Sequence, residues 1–178
     1  MTLFRDEYRI ATTRLKQWDY TKAGYYFVTI CTKDRECFLG EIIEGKMILS
    51  DIGLIVREEW LKTEKIRANL FLDEWVIMPN HIHGIIVIRN NSGVETPRRG
   101  VSTAATLLPG SLGSIIGQFK SKCTRRIWVA GHRHFAWQSR FFDHIIRGDA
   151  SLQRIKEYIM NNPVLWSRDR NHPENVEV

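Results

Sequence analysis

Residues 75–88 read Trp-Val-Ile-Met-Pro-Asn-His-Ile-His-Gly-Ile-Ile-Val-Ile, and no other stretch limits the fold as much. The run is rich in β-branched residues, which favour extended chain. Pro79 has no N–H for a sheet ladder, so it divides the run into a strand ending near Met78 and one starting near His81. Asn80 suits the tight turn between them. The expected product is an antiparallel pair, Leu70 to Met78 against His81 to Ile88. Side chains alternate across a strand, so His81 and His83 leave one face while Ile82, Ile86 and Ile88 leave the other, toward a core. A single histidine in such a strand is usually a hydrogen-bonded core residue. Two on one face can converge on one ion. Gly84 lets another chain or a ligand approach the backbone closely.

The rest of the chain supplies partners for this hairpin. Tyr25 to Thr32 is dense in strand formers and is the first strand. Phe38 to Ile43 and Lys46 to Leu49, around Glu44-Gly45, form a small hairpin. Ser50 caps a helix running to about Lys62, with Ile52, Ile55, Val56 and Trp60 on one face. Ser111 or Ser114 caps a second helix, along which Leu112, Ile115, Ile116, Phe119, Cys123 and Ile127 form the apolar stripe. Phe135 to Ile146 starts extended and is read as an edge strand. Asp149 caps a third helix over about 150–162, which Pro163 ends. Strand, helix, strand, strand, helix, strand predicts an α+β, ferredoxin-like (split βαβ) antiparallel sheet with helices packed on one face. The expected organisation is an N-terminal arm over 1–24, a single domain over 25–166 with a flexible loop at 89–110, and a polar, loose C-terminal tail over 167–178.

Charge narrows the function. Residues 1–88 carry 12 Lys/Arg against 13 Asp/Glu, and residues 89–178 carry 14 against 7. The excess positive charge therefore follows the histidine pair, as a phosphate-binding face requires. No apolar run approaches ~18 residues, so no membrane helix is expected. The first residues are charged and form no secretory signal. Three cysteines, Cys31, Cys37 and Cys123, without a C-x-x-C pair, suit a reducing compartment.

The third helix carries Tyr158 at the edge of its stripe of Leu152, Ile155 and Ile159, and Asn162 follows on the same face. Alone, each has an ordinary structural reading: a boundary tyrosine, and a helix end before a proline. Combined with the histidines they suggest a chemistry. A phenol is a poor nucleophile at neutral pH, but it can attack phosphorus if a divalent cation polarises the phosphoryl oxygens. Two imidazoles and one amide oxygen make a three-ligand site with positions left for substrate. His132-Arg133-His134 repeats the spacing after Gly131, but no strand-like run continues from it, and it is read as a decoy. His144 is a candidate for a site-adjacent position.

Pro79-Asn80-His81-Ile82-His83-Gly84, followed by a tyrosine helix with Asn four residues on, resembles the single-tyrosine HUH transposases, and among them the REP-associated tyrosine transposases. Trp18-Asp19-Tyr20, Tyr26 to Thr32, Phe119-Lys120-Ser121, Phe135-Ala136-Trp137-Gln138 and Asp143-His144-Ile145-Ile146-Arg147 resemble that subgroup's blocks in order, over about residues 14–170. The resemblance implies a ferredoxin-like fold and a divalent cation, Mg²⁺ or Mn²⁺, on His81 and His83. Asn162 matches the third metal ligand, where mobile relatives often have Gln. Tyr158 would be the nucleophile, forming a 5′-phosphotyrosine and releasing a 3′-hydroxyl. The implied substrate is single-stranded DNA with a hairpin and a short flanking recognition sequence. Arg14, Lys120, Lys122, Arg125, Arg126, Arg147 and Arg154 are the candidate DNA contacts. The implied protein is a monomer or homodimer of the bacterial cytoplasm, at the nucleoid.

Two other functions compete. A non-catalytic module on the same fold would hold single-stranded or hairpin nucleic acid on aromatics and need neither the histidines nor Tyr158. A cyclic-phosphodiesterase-type hydrolase needs paired His-x-Ser/Thr motifs, and here His81 and His83 are separated by Ile and followed by Gly.

Overall fold

The computed structural model describes residues 18–90 and 109–175, and the backbone of two short paired strands nearer the N-terminus, β1 (Leu3–Phe4) and β2 (Glu7–Tyr8). Arg14 and most of the loop expected over 89–110 lie outside the described residues.

Four strands form the main sheet: β3 (Gly24–Cys31), β6 (Leu70–Met78), β7 (His81–Ile88) and β8 (Phe142–Ile146). Their order is β6-β7-β3-β8 and every neighbouring pair is antiparallel. With α1 (Asp51–Lys65) between β3 and β6, and α2 (Leu112–Val129) between β7 and β8, this is the ferredoxin-like arrangement of an α+β fold. β4 (Gly40–Ile43) and β5 (Lys46–Leu49) make a separate hairpin before α1. Local chemistry sets the boundaries. The Ser50 side chain accepts from the Gly53 N–H and the Ser111 side chain from the Ser114 N–H, each capping its helix. Pro79 and Asn80 fill the gap between β6 and β7. α3 (Asp149–Asn161) differs from expectation at its start: Gly148 takes the N-cap position without a side-chain bond, and Asp149 is the first helical residue.

α1 and α2 pack together on one face of the sheet, over Tyr26, Val28, Ile30, Ile82, Ile86 and Ile88. Trp60 of α1 and Phe119 of α2 meet edge to face, ring centres 5.2 Å apart, in the middle of this core. Gly84 matters here for a reason other than the one expected: a Cβ on it would stand 2.6 Å from the Trp60 ring, so the close neighbour is the protein's own core. α3 lies on the other face. Ile159, Ile155 and Leu152 rest on Phe27, Ile85, Val87 and Ile146. A register shift in β6 between Leu72 and Trp75 coincides with Asp73, which pairs with Lys156 of α3 at 2.8 Å.

The tail expected to be loose folds back over the end of α3 instead. Short 3₁₀ turns at Trp166–Arg168 and Pro173–Asn175 bracket Asp169 and Asn171, both buried. The Asp169 side chain accepts from the Asn171 N–H at 2.6 Å, and Asn175 Nδ2 donates to Ser167 O and Asp169 O. Polar side chains that satisfy their own backbone make a fixed turn without an apolar pattern to announce it. Among the described residues no helix is long and apolar enough to cross a membrane.

Candidate active site

The β7 register decides where the histidines stand. His81 lies opposite Cys31 of β3 and Met78 of β6, and His83 opposite Thr29 and Val76. Both are fully buried on the α3 face, ring centres 4.4 Å apart. Each ring spends Nδ1 on the protein. His81 Nδ1 bonds Asn80 Oδ1 at 2.8 Å, and His83 Nδ1 bonds Thr29 Oγ1 at 2.9 Å. Asn80 is itself fixed, its amide donating to Arg35 O and Asn171 O. A carbonyl oxygen accepts, so His81 carries its proton on Nδ1 and offers a lone pair at Nε2. That Nε2 is buried and has no partner.

Tyr158 and Asn162 arrive from α3 as their spacing predicts. Tyr158 is 40% exposed, yet its phenol oxygen reaches 3.1 Å from His83 Nε2 and donates to Asp169 Oδ2 at 3.3 Å. Asn162 is buried; its Nδ2 donates to the same Asp169 oxygen at 2.8 Å, and its Oδ1 has no partner.

Asp169 is the residue that sequence reasoning missed. Among the described residues, His81, His83 and Asp169 are the one group able to hold a metal ion, their ligand atoms within 4.8 Å of one another. Asp-Arg-Asn after Trp166 was the only available signal, a turn-forming triplet in a polar tail. The donor set fits a divalent cation: two imidazole nitrogens, a carboxylate, and an unpartnered amide oxygen, with two buried lone pairs unspent on the protein. His132 and His134 belong to no such group; His134 packs on Phe38, ring centres 5.4 Å apart.

Electrostatics favour a protonated phenol in the metal-free site. Burial, and then the Asp169 charge, push Tyr158 up to about 12. Burial acts to raise Asp169, but the His83 ring, the Asn162 amide and the Asn171 N–H outweigh it and hold the carboxyl well below its usual range. Burial lowers both histidines, His81 strongly and with His83 adding to it.

The basic candidates separate by geometry. Arg126 is committed to α1: it bonds Glu59 and Glu58 at 2.7 Å each, so its charge is already matched. Lys120 Nζ donates to Gln138 O and Arg140 O, binding α2 to the segment that leads into β8. Lys122, Arg125, Arg147 and Arg154 are exposed. Arg147 stands 5.6 Å over the Trp18 ring. Arg125 also lines an open groove of about 700 Å³ with Lys120, Arg133, Trp128 and Trp137. His144, exposed on β8, pairs in register with Phe27, one strand away from His83.

No protein-family model matches the chain. A Haemophilus influenzae protein of uncharacterised function is 37% identical over 170 residues, 88% of this chain and 89% of that protein. A second Haemophilus influenzae protein, named "Putative REP-associated tyrosine transposase", is 30% identical over 149 residues, 82% of this chain and 73% of its own length. Among solved structures, a REP-associated tyrosine transposase bound to a REP hairpin superposes with a TM-score of 0.61 at 21% identity, over 89% of this chain and 77% of that one. That likeness extends the ferredoxin-like plan over most of the chain, and the sequence relatives give its lineage: the chain belongs to the REP-associated tyrosine transposase family.

Proposed function

We propose that this protein is a metal-dependent single-stranded DNA endonuclease and strand transferase that acts at hairpin-forming repeats through a 5′-phosphotyrosine on Tyr158. The observation that carries the reading is the position of the Tyr158 phenol, 3.1 Å from His83 Nε2 and beside the metal-ligating group of His81, His83 and Asp169. His81 Nε2, His83 Nε2 and the Asp169 carboxylate would hold Mg²⁺ or Mn²⁺, with Asn162 Oδ1 as a further donor. Such an ion polarises the phosphoryl oxygens and offsets the charge that develops on them.

The chain's own residues do the rest. Tyr158 Oη forms a bond to phosphorus, the bond from phosphorus to the 3′ oxygen breaks, and that oxygen takes a proton from solvent and leaves as a 3′-hydroxyl. Asp169 orients the phenol but is a poor acceptor for its proton. Even with ordinary values near 10 and 4, that transfer costs about 8 kcal/mol. Both groups here are shifted in the direction that makes it worse. With Asp169 a poor acceptor and His83 Nε2 assigned to the cation, the phenol proton would pass to solvent. Thr29 and Asn80 hold the two rings with Nε2 toward the ion. The structural relative's REP hairpin motivates hairpin DNA as the substrate. Lys120, Lys122, Arg125, Arg147 and Arg154 supply its phosphate contacts, with Arg14 from the N-terminal arm; Arg126 is withdrawn from that set.

The test is incubation of end-labelled hairpin oligonucleotides with the protein and Mn²⁺, followed by peptide mapping. A nucleotide ester on the peptide containing Tyr158 is the expected result. Tight hairpin binding without any adduct would instead favour the non-catalytic module.

A further inference from the structure

β8 is the edge strand of the sheet. Its register sets Phe142 opposite Thr29 and His144 opposite Phe27, so Phe142 stands on the same face as the histidines, one strand beyond β3. Ring contacts reach it from the site. The His83 ring stacks on Phe27 at 5.4 Å, and Phe27 meets Tyr158 edge-on at 6.2 Å and Phe142 at 6.4 Å. Phe27 is buried, whereas Phe142 is 38% exposed and takes no part in the cluster under α3. The Arg170 guanidinium stands over this ring, 5.4 Å from its centre.

Arg170 follows Asp169 in the chain, so the turn that sends one side chain inward to the histidines sends the next outward over Phe142. Arg170 is exposed and enters no ion pair among the described residues. Its backbone is fixed all the same. Arg35 Nη1 donates to Arg170 O at 2.9 Å. Arg35 and Asp34 both hold left-handed backbone, φ 56° and 51°, in the turn from which Arg35 reaches the tail.

We infer that Phe142 and Arg170 form a nucleotide subsite at the mouth of the site, in which the Phe142 ring takes the face of one unpaired base and Arg170 takes that nucleotide's phosphate, next to the phosphate that Tyr158 attacks. A half-exposed ring beside a cation is the pairing that holds single strands irrespective of sequence, because every base has a π-face and every nucleotide a charge. Among the described residues Arg170 has no carboxylate to give up, so exchanging the ring for a phosphate breaks no ion pair there. The inference rests on the reading of Tyr158 as a nucleophile toward single-stranded DNA.

The experiment is equilibrium binding of a fluorescent hairpin oligonucleotide with single-stranded flanks, in metal-free buffer, with an abasic site walked through the flanks. One abasic position should weaken binding to wild type on the order of tenfold. Phe142→Ala and Phe142→Leu should bind the intact strand on the order of tenfold more weakly and be indifferent to that abasic position. Arg170→Ala should lower the slope of log affinity against log salt by about 0.7, the share of one single-strand phosphate, while the Phe142 variants keep the wild-type slope. Phe142→Leu retains apolar bulk, and its melting temperature shows that it is folded. Wild-type affinity and unchanged abasic sensitivity in folded Phe142→Leu would overturn the subsite. The outcomes separate from those of the nucleophile reading. An abasic signature that depends on Phe142, with no adduct on Tyr158, supports the subsite and rejects the chemistry. An adduct with indifferent Phe142 variants does the reverse.

Discussion

At the scale of single residues, the site divides its work between atoms spent on the protein and atoms left open. Both histidines give Nδ1 to neighbours fixed by the sheet register and the β6–β7 turn, and His81 Nε2 is left with no partner. Tyr158→Phe removes one oxygen from a ring that stays in place. Stability should change by no more than about 1 kcal/mol, the scale of one net hydrogen bond, while the covalent adduct vanishes and hairpin binding persists. A cleaving Tyr158→Phe protein would assign the cut to another group. Asp169→Asn keeps the shape of the turn but removes the charge among the ligands. Calorimetric titration should show Mn²⁺ affinity reduced by more than the roughly 10- to 100-fold that loss of an outer-shell partner costs; a smaller loss would make Asp169 a positioning residue alone.

At the scale of elements, the sheet separates two apolar layers with different duties. The α1–α2 face is the stability layer, and Trp60 under Gly84 is its tightest point. Gly84→Ala forces the Trp60 ring out of position, a small-to-large change in a packed core that costs about 1–3 kcal/mol. Urea denaturation should show the loss in the midpoint. The α3 face is the smaller layer, and it positions Tyr158, the proposed nucleophile. Ile159 is its fully buried anchor on Phe27, Ile85, Val87 and Ile146. Ile159→Ala leaves a cavity worth about 2–5 kcal/mol beneath the helix that carries Tyr158. Adduct formation should fall further than hairpin affinity, because Lys120, Lys122 and Arg125 of the assigned phosphate contacts lie on α2 and only Arg154 lies on α3. Equal losses in a folded variant would show that α3 carries the larger share of the binding.

At the scale of the whole molecule, acid should destabilise the metal-free protein. His81 and His83 are buried neutral, with folded values below the ordinary 6.5. As pH drops from about 6.5 toward those folded values, the unfolded chain binds more protons than the folded one, and stability falls. The contribution is fully present above about 6.5 and is lost on acidification. Asp169 acts in the same direction further down: its contribution is present above the ordinary 3.8 and lost as the carboxyl protonates. Melting temperatures of EDTA-treated protein should therefore drop between pH 7.5 and 5. A flat profile would mean that the rings are not buried as neutral groups. Hairpin binding should weaken steeply with salt, since the contacts assigned to the basic second half are phosphate contacts.

The strands, the helices and the faces they present were legible in the chain because they depend on short-range periodicity. Period 2 put His81 and His83 on one side of β7 and Ile82 on the other, and a spacing of four put Tyr158 and Asn162 on one side of α3. The break at Pro79 and the caps at Ser50 and Ser111 follow from chemistry within a few residues. What only the tertiary structure decided involves partners far apart in sequence. Asp169 meets His83 from 86 positions away through a turn with no apolar pattern, Arg126 spends its charge on Glu58 and Glu59 of another helix, and Gly84 makes room for Trp60. Each depends on which surfaces the sheet order brings together, and no local preference of the chain carries that information.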